Sequence, residues 1–454
     1  MNSVVSESRV MRAAHQRLAS LGHPTAKVML VFRHPTLVST ALLLLIFSGP
    51  PKLRVRDPSA SLRGVIDWVV VLHAFVWGLA GLWVFAHITK RLRARRPALR
   101  LRLPQILGLV MILCLAASVG VSSAPELTAF KAYEMLISLL FVGIFAEEFG
   151  AAASLRIMFW ASTLLCIAVA VCAIWDPGLV WSHSDFDLGQ TRLRGDLIAS
   201  AGVVSAIAII LLCTGVRKLW RILVFALLAF YSGLLLLSLM RTAYLVIVLF
   251  FALVLLKRPH VKPLRQLAYL LCLLTLVLFL GNRLPNLDRY RDPATISTLS
   301  ERTGLWRYLA HITLTRSPWL GLGYYSASRT FGPQFNPGFG TAHSMFMEVL
   351  LGAGVPAFLL LVAICLILSF YAVRLLWLKA DRLSFAVCSL FMAALFFGFI
   401  GEEVDSGPTA IAFWFAAATL PCLYEQTLKT AKAIKPPVTR SDNQCQDLMR
   451  IVAT

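Results

Sequence analysis

Apolar runs of about 18 or more residues recur along almost the whole 454-residue chain, each long enough to cross a hydrocarbon layer of roughly 30 Å as a helix. A soluble core cannot absorb so much apolar sequence, because 58% of the residues are hydrophobic and only 14% are charged. The expected fold is therefore an all-α polytopic membrane protein. The first 26 residues are polar and basic, without the short apolar core and small-residue cleavage site of a signal peptide. The first span is expected to insert as an uncleaved anchor.

About twelve spans are expected, at 28–49, 65–87, 105–122, 131–148, 156–175, 196–214, 222–240, 243–256, 266–281, 345–373, 384–401 and 409–427. The division at 238–244 comes from length. As one helix, residues 222–256 would run about 52 Å at 1.5 Å per residue, which exceeds the bilayer. The chain is expected to turn at "SLMRTAY", placing Arg241 at the outer boundary, where a charge is tolerated far better than at mid-membrane.

Basic linkers set the orientation. "KRLRARRPALRLR" (90–102), "VRKLWR" (216–221), "KRPHVKPLR" (257–265) and "RLLWLKADR" (374–382) all fall on the cytoplasmic side of a twelve-span layout with both ends inside. The first outer loop, "KLRVRDPSASLR" (52–63), runs against the rule with four basic residues and one acid. The resulting organisation is a cytoplasmic segment 1–27, nine spans over 28–281 with a periplasmic loop at 176–195, a large periplasmic loop at 282–344, three spans over 345–427 and a polar tail 428–454. A net charge of +21 would suggest nucleic acid in a soluble protein; here it suits orientation and anionic headgroups, and membrane lipids rather than nucleic acid are the expected contacts. All nine cysteines lie in apolar spans or the tail, so no structural disulfide and no metal site are expected. No repeat of 20–50 residues and no nucleotide-binding loop is present.

Function is expected in the two long outer loops. Within 282–344, residues 296–317 read as an amphipathic helix, with Leu299, Leu305, Trp306, Leu309 and Ile312 on one side. "SPWLGLGYYS" (317–326) and "FGPQFNPGFG" (331–340) read as loop. The basic residues of this segment are Arg283, Arg289, Arg291, Arg302, Arg307, Arg316 and Arg329, without a lysine, against Asp288, Asp292 and Glu301. The shorter loop adds Arg192 and Arg194. Guanidinium forks suit phosphate oxygens and stay charged at any working pH, although any one of them can equally meet a headgroup or a nearby acid. Arg241 and Arg302 stand out: Arg241 has no acid near it in sequence, and Arg302 lies on a helix edge four residues before Trp306.

His343 stands where this polar segment becomes an apolar helix. It precedes Ser344, a helix N-cap candidate, and "GAG" at 352–354 thins the helix for a close neighbour or a lipid chain. The residue can serve as a capping or core histidine, or as a base at the membrane surface, kept neutral by nearby arginines. Glu402, Glu403 and Asp405, in "GEEVDSGP", are counter-ions for the arginines, acceptors for sugar hydroxyls, or a solvated acidic loop. Asp67, Glu134 and Glu348 are rare acids in or near spans, serving either function or helix–helix contact.

Four stretches together carry a resemblance. "TLSERTGLWRYLAHITLTRSPWLGLGYYS" (298–326), "AHSMFMEVLLGAGVP" (342–356), "SLMRTAY" (238–244) and "RLRGDLIASAG" (192–202) resemble, in order and on one side, the motifs of the O-antigen ligase/polymerase superfamily of bacterial envelopes. Two positions depart from the pattern: Ser344 where Asn is common, and Ala357 where a further Gly is often found. The resemblance implies a GT-C-type glycosyltransferase of the bacterial inner membrane, with its active site on the periplasmic face. Its donor would be an undecaprenyl-pyrophosphate-linked glycan and, for a ligase, its acceptor a sugar hydroxyl of lipid A–core. No metal or nucleotide cofactor is expected. Arg192, Arg194, Arg241 and Arg302 would bind the pyrophosphate, and His343 would be the base. A repeat-unit polymerase or a protein O-oligosaccharyltransferase would share this donor chemistry. The single large outer loop before the histidine favours the ligase. A lipid-glycan flippase would call for mid-membrane charges, a repeated half and helices broken near the bilayer centre; no repeat is seen, and the arginines gather at one face.

Overall fold

The computed structural model describes residues 68–95, 100–183, 191–193, 302–337, 339–378, 382–400 and 407–434, with isolated positions between 226 and 234. Five of the described helices are long and apolar enough to cross a membrane. Helix α1 is Trp68–Arg93 and α2 is Leu103–Ala117, the latter prolonged by the 3-10 turn Ser118–Val121. Helix α3 is Pro125–Phe149 and α4 is Ala151–Trp175, with Gly150 between them at φ 77°. The short α5, Pro177–Val180, leads into strands β1, Trp181–His183, and β2, Thr191–Leu193. These pair antiparallel, Ser182 opposite Arg192, so the segment 176–195 adds a small pair of strands to the otherwise helical elements among the described residues. Helices α6, Arg302–Arg316, and α7, Ser326–Phe335, precede three long helices: α8, Met345–Trp377, α9, Arg382–Ile400, and α10, Gly407–Ile434. The sequence-derived spans 28–49, 196–214, 243–256 and 266–281, and nearly all of 222–240, lie outside the described residues.

Helix α8 packs on α2, α9 and α10, and α10 packs on α3. Phe391, Phe397, Phe413, Trp414 and Phe415 fill the seams between them. The lipid-exposed side of α1 keeps Phe75, Leu82 and Phe85 accessible, as a helix facing hydrocarbon can.

The helix α8 differs from the single span expected over 345–373. At 33 residues it would run about 50 Å if straight, and it breaks instead at Gly354, whose φ of 77° and ψ of −172° are not helical. Pro356 follows within two residues. The length test that divided 222–256 would have found this break too.

The break is filled by the loop 317–325. Leu322 N–H donates to Leu351 O at 2.9 Å, Gly323 N–H to Gly352 O at 3.0 Å, and Val355 N–H to Pro318 O at 2.8 Å. Two glycine pairs, "GLG" and "GAG", thus meet backbone to backbone. Gly321 has φ 68°, and a Cβ there would stand 2.4 Å from Ala353 N and Gly352 O. Main-chain atoms cannot swing aside. Gly321→Ala is expected to destabilise the protein by about 2–3 kcal/mol, read as a lower thermal midpoint in detergent. Gly78→Ala is the control, since a Cβ there meets nothing within 4 Å.

On its other flank the loop rests on α2 and α3. Thr128 Oγ1 donates to Tyr324 O at 2.9 Å, Tyr324 N–H donates to Ser118 Oγ at 3.3 Å, and Ser122 and Ser326 hydroxyls bond at 2.7 Å. The connection between α2 and α3 therefore lies on the same face as the segment 302–344. Two expected loop assignments change. Residues 331–335 of "FGPQFNPGFG" belong to α7 despite Pro333, and the tail stays helical to Ile434.

Glu134 is buried in α3 and paired on both oxygens. Lys131 Nζ stands 2.8 Å from Oε2, and His73 of α1 meets Oε1. The pairing with His73 spans 61 residues, so no local pattern announces it. Removing one partner of a buried pair leaves the other charge uncompensated. Lys131→Met is expected to cost about 3–5 kcal/mol, whereas the paired change Lys131→Met with Glu134→Leu recovers most of it, measured by the same thermal denaturation.

Candidate functional site

Of the expected constellation, Arg302 and His343 lie near enough for the guanidinium charge to act on the imidazole. Arg302 opens α6, whose residues Leu305, Leu309, Ile312 and Thr313 turn inward and seat it on the start of α8 and on α7. That apolar side matches the amphipathic reading, with Leu299 outside the described residues. One turn after Arg302, Trp306 Nε1 donates to the carbonyl of Ala342 at 2.8 Å, the residue before His343. The indole also meets the Phe399 ring edge-on at 6.2 Å.

His343 itself has φ 51°, a left-handed backbone that a non-glycine residue adopts only when its surroundings impose it. Phe339 closes one side of the imidazole, edge-on at 5.7 Å. Burial pushes the imidazole pKa down from 6.5 to about 4, and the Arg302 charge pushes the same way. His343 is thus neutral throughout the physiological range, with part of its surface still accessible. Ser344 has the extended backbone of an N-cap, φ −162°, but its side chain makes no capping bond; its carbonyl accepts from Glu348 N–H at 2.9 Å.

Glu348, left open by the sequence, is buried beside this turn. Its Oε1 accepts from Ser328 Oγ at 2.7 Å and its Oε2 from Ala342 N–H at 3.3 Å. Two other arginines of the segment lie on aromatic rings: Arg329 over Tyr325 at 3.2 Å and Arg316 over Phe331 at 5.3 Å. Lys131 approaches the Tyr325 ring as well, at 4.3 Å. Sequence spacing shows neither the Phe339 ring against His343 nor the Glu348 carboxylate against Ala342 N–H, because both are tertiary contacts around the left-handed turn.

The backbone of Arg192 lies in β2. Arg194, Arg241, Glu402, Glu403, Asp405 and Asp67 lie outside the described residues.

Next to the His343 turn an apolar cavity of about 390 Å³ runs between α8 and α9. Phe346, Val362, Cys365, Leu366 and Ser369 line it from α8, and Met392, Leu395, Phe396 and Phe399 from α9. Phe346 and Phe399 line it at the end nearer the His343 turn; their rings meet at 5.8 Å, and Phe399 also meets Trp306.

A cationic fork and a neutral imidazole at the end of membrane helices, beside an apolar cleft, suit a substrate with an anionic head and a lipid chain. A comparison with curated proteins gives no match. Residues 226–362, a stretch that holds both Arg302 and His343, match the family model for O-antigen ligase.

Proposed function

We infer that the protein is a metal-independent, inverting glycosyltransferase that moves a glycan from undecaprenyl pyrophosphate to a sugar hydroxyl of lipid A–core. It would work at the periplasmic face of the inner membrane, as an O-antigen ligase. The observation that carries this reading is the meeting of Arg302 with a neutral, buried His343.

The reaction needs two things. As the glycosidic bond breaks, its electrons pass to the pyrophosphate, whose growing charge needs fixed cations. Arg302 supplies one, and Arg241, Arg192 and Arg194 are assigned the same task. The acceptor hydroxyl must lose its proton as its oxygen attacks the anomeric carbon from the opposite face. The neutral imidazole of His343 takes that proton. A base with a pKa near 4 is weak, but an anionic pyrophosphate on Arg302 offsets the guanidinium field and raises the imidazole's proton affinity. Proton removal thereby strengthens once the donor is bound. The cleft between α8 and α9 accommodates the first part of the polyprenyl chain.

Reconstitution with a lipid-pyrophosphate glycan and lipid A–core tests the reading. Full-length lipopolysaccharide formed without ATP or added metal supports it. Ladders of lipid-linked polymer would instead mark a repeat-unit polymerase, and movement of the intact donor between leaflets would mark a flippase.

A further inference from the structure

We propose that Glu348 is a positioning residue that aims the His343 imidazole through the Ala342 backbone, in concert with Trp306; this rests on His343 being the base.

Both peptide groups of Ala342 are held. Its N–H donates to Glu348 Oε2 at 3.3 Å, and its carbonyl accepts from Trp306 Nε1 at 2.8 Å. That carbonyl belongs to the peptide unit that leads into His343. With both planes fixed, the direction in which the chain enters His343 is fixed as well. His343 then stands at φ 51°, a strained conformation that needs its surroundings to hold it. The two holding side chains come from different elements: Trp306 from α6, one turn past Arg302, and Glu348 from α8. Glu348 is itself fixed by Ser328 of α7, which donates to Oε1 at 2.7 Å. The clamp therefore ties three helices to one residue. It places the imidazole where the Arg302 charge acts on it, with the Phe339 ring edge-on at 5.7 Å.

Glu348 is only 1% exposed, and its carboxylate oxygens accept from these two donors. A glutamine can reproduce both contacts. Its one carbonyl oxygen accepts from Ala342 N–H, and its amide group donates to a Ser328 hydroxyl rotated to accept. A methionine of similar shape can reproduce neither. Positioning thus predicts a different order of variants from proton carriage or from charge.

The test uses the full chain in lipid nanodiscs with a lipid-pyrophosphate glycan and lipid A–core, measuring kcat, KM for the donor and the thermal midpoint. Glu348→Gln is expected within about 3-fold of the parent, and Glu348→Met to lose about 100-fold in kcat with donor KM changed less than about 3-fold. Should Glu348→Met fail to fold, Trp306→Phe removes the other half of the clamp while leaving a ring against Phe399; it is expected to show the same loss in kcat at constant donor KM. Equal loss in the Gln and Met variants would overturn the proposal, since it would make the charge or the proton the essential feature. Full activity in Glu348→Met, or in Trp306→Phe, would overturn it as well. So would a lowered thermal midpoint with donor KM rising in step, which is the pattern of a fold brace. His343→Ala, run alongside, separates the two levels. If that variant remains active, the assignment of the base fails; if it is inactive while Glu348→Met is active, only the positioning role fails.

Discussion

His343→Ala is expected to lose about 10²–10⁴-fold in transfer rate while still binding the lipid-pyrophosphate donor. The size follows from what a positioned base contributes when a hydroxyl of high pKa must be deprotonated in the transition state. The split between rate and binding follows from geometry. The imidazole stands at the turn before α8; in the proposed reaction the acceptor oxygen arrives there, and the pyrophosphate charge falls to arginine. Donor affinity measured by equilibrium binding should therefore change little. His343→Gln should be almost as impaired, because an amide fills the space and accepts a hydrogen bond but takes no proton. Weakened donor binding, with the rate at saturation intact, would reverse the roles assigned to His343 and Arg302.

Arg302→Ala is expected to lower kcat by about 10²–10³-fold and to weaken donor binding in addition. Charge on the leaving pyrophosphate grows along the reaction, so a fixed cation acts more strongly on the transition state than on the bound donor. Arg302→Lys should recover little of the rate. An ammonium keeps the charge but not the planar fork that matches two phosphate oxygens. The same variants act on His343, whose pKa is held down first by burial and then by the guanidinium. Loss of Arg302 should raise the imidazole pKa only in part, since burial remains. The sign of the pH effect on stability follows from the same shift. An unfolded histidine titrates near 6.5 and this one near 4, so protons bind the unfolded chain first. The contribution of His343 to stability is present above 6.5 and lost progressively as pH falls towards 4.

Residues governed by local pattern were legible in the sequence. The α6 stripe of Leu305, Leu309 and Ile312 follows helical spacing, and each long apolar run that falls among the described residues forms a helix. Arg302 and His343 stood out by residue type at a membrane boundary, and the Arg302 charge acts on the His343 imidazole. Partners set by tertiary contact were not legible. The two glycine pairs looked like a thin helix and a loose loop, and only the approach of the loop to the α8 break shows why Gly321, Gly352 and Gly354 lack a Cβ, while Gly323 stands against Ser122. "FGPQF" carries the Gly and Pro content of a loop, yet Pro333 sits in a helix whose Ser328 is tied to Glu348. Packing overrode composition there. Glu134 and Lys131 are one turn apart and readable as a pair, but His73 joins them from another helix. The left-handed turn at His343 has no signature in "TAHSM", because it is imposed from outside by Trp306 and Glu348.

The pairing of Arg302 with His343 is open to a direct chemical titration. Diethyl pyrocarbonate acylates neutral imidazole only, so its rate at His343, followed by peptide mass spectrometry in nanodiscs, reports the pKa without turnover. The arrangement described here predicts half-maximal reaction near pH 4 in the parent and at a higher pH in Arg302→Gln. Reaction centred at 6.5 in both proteins would contradict it, since His343 would then be neither buried nor within reach of the Arg302 charge.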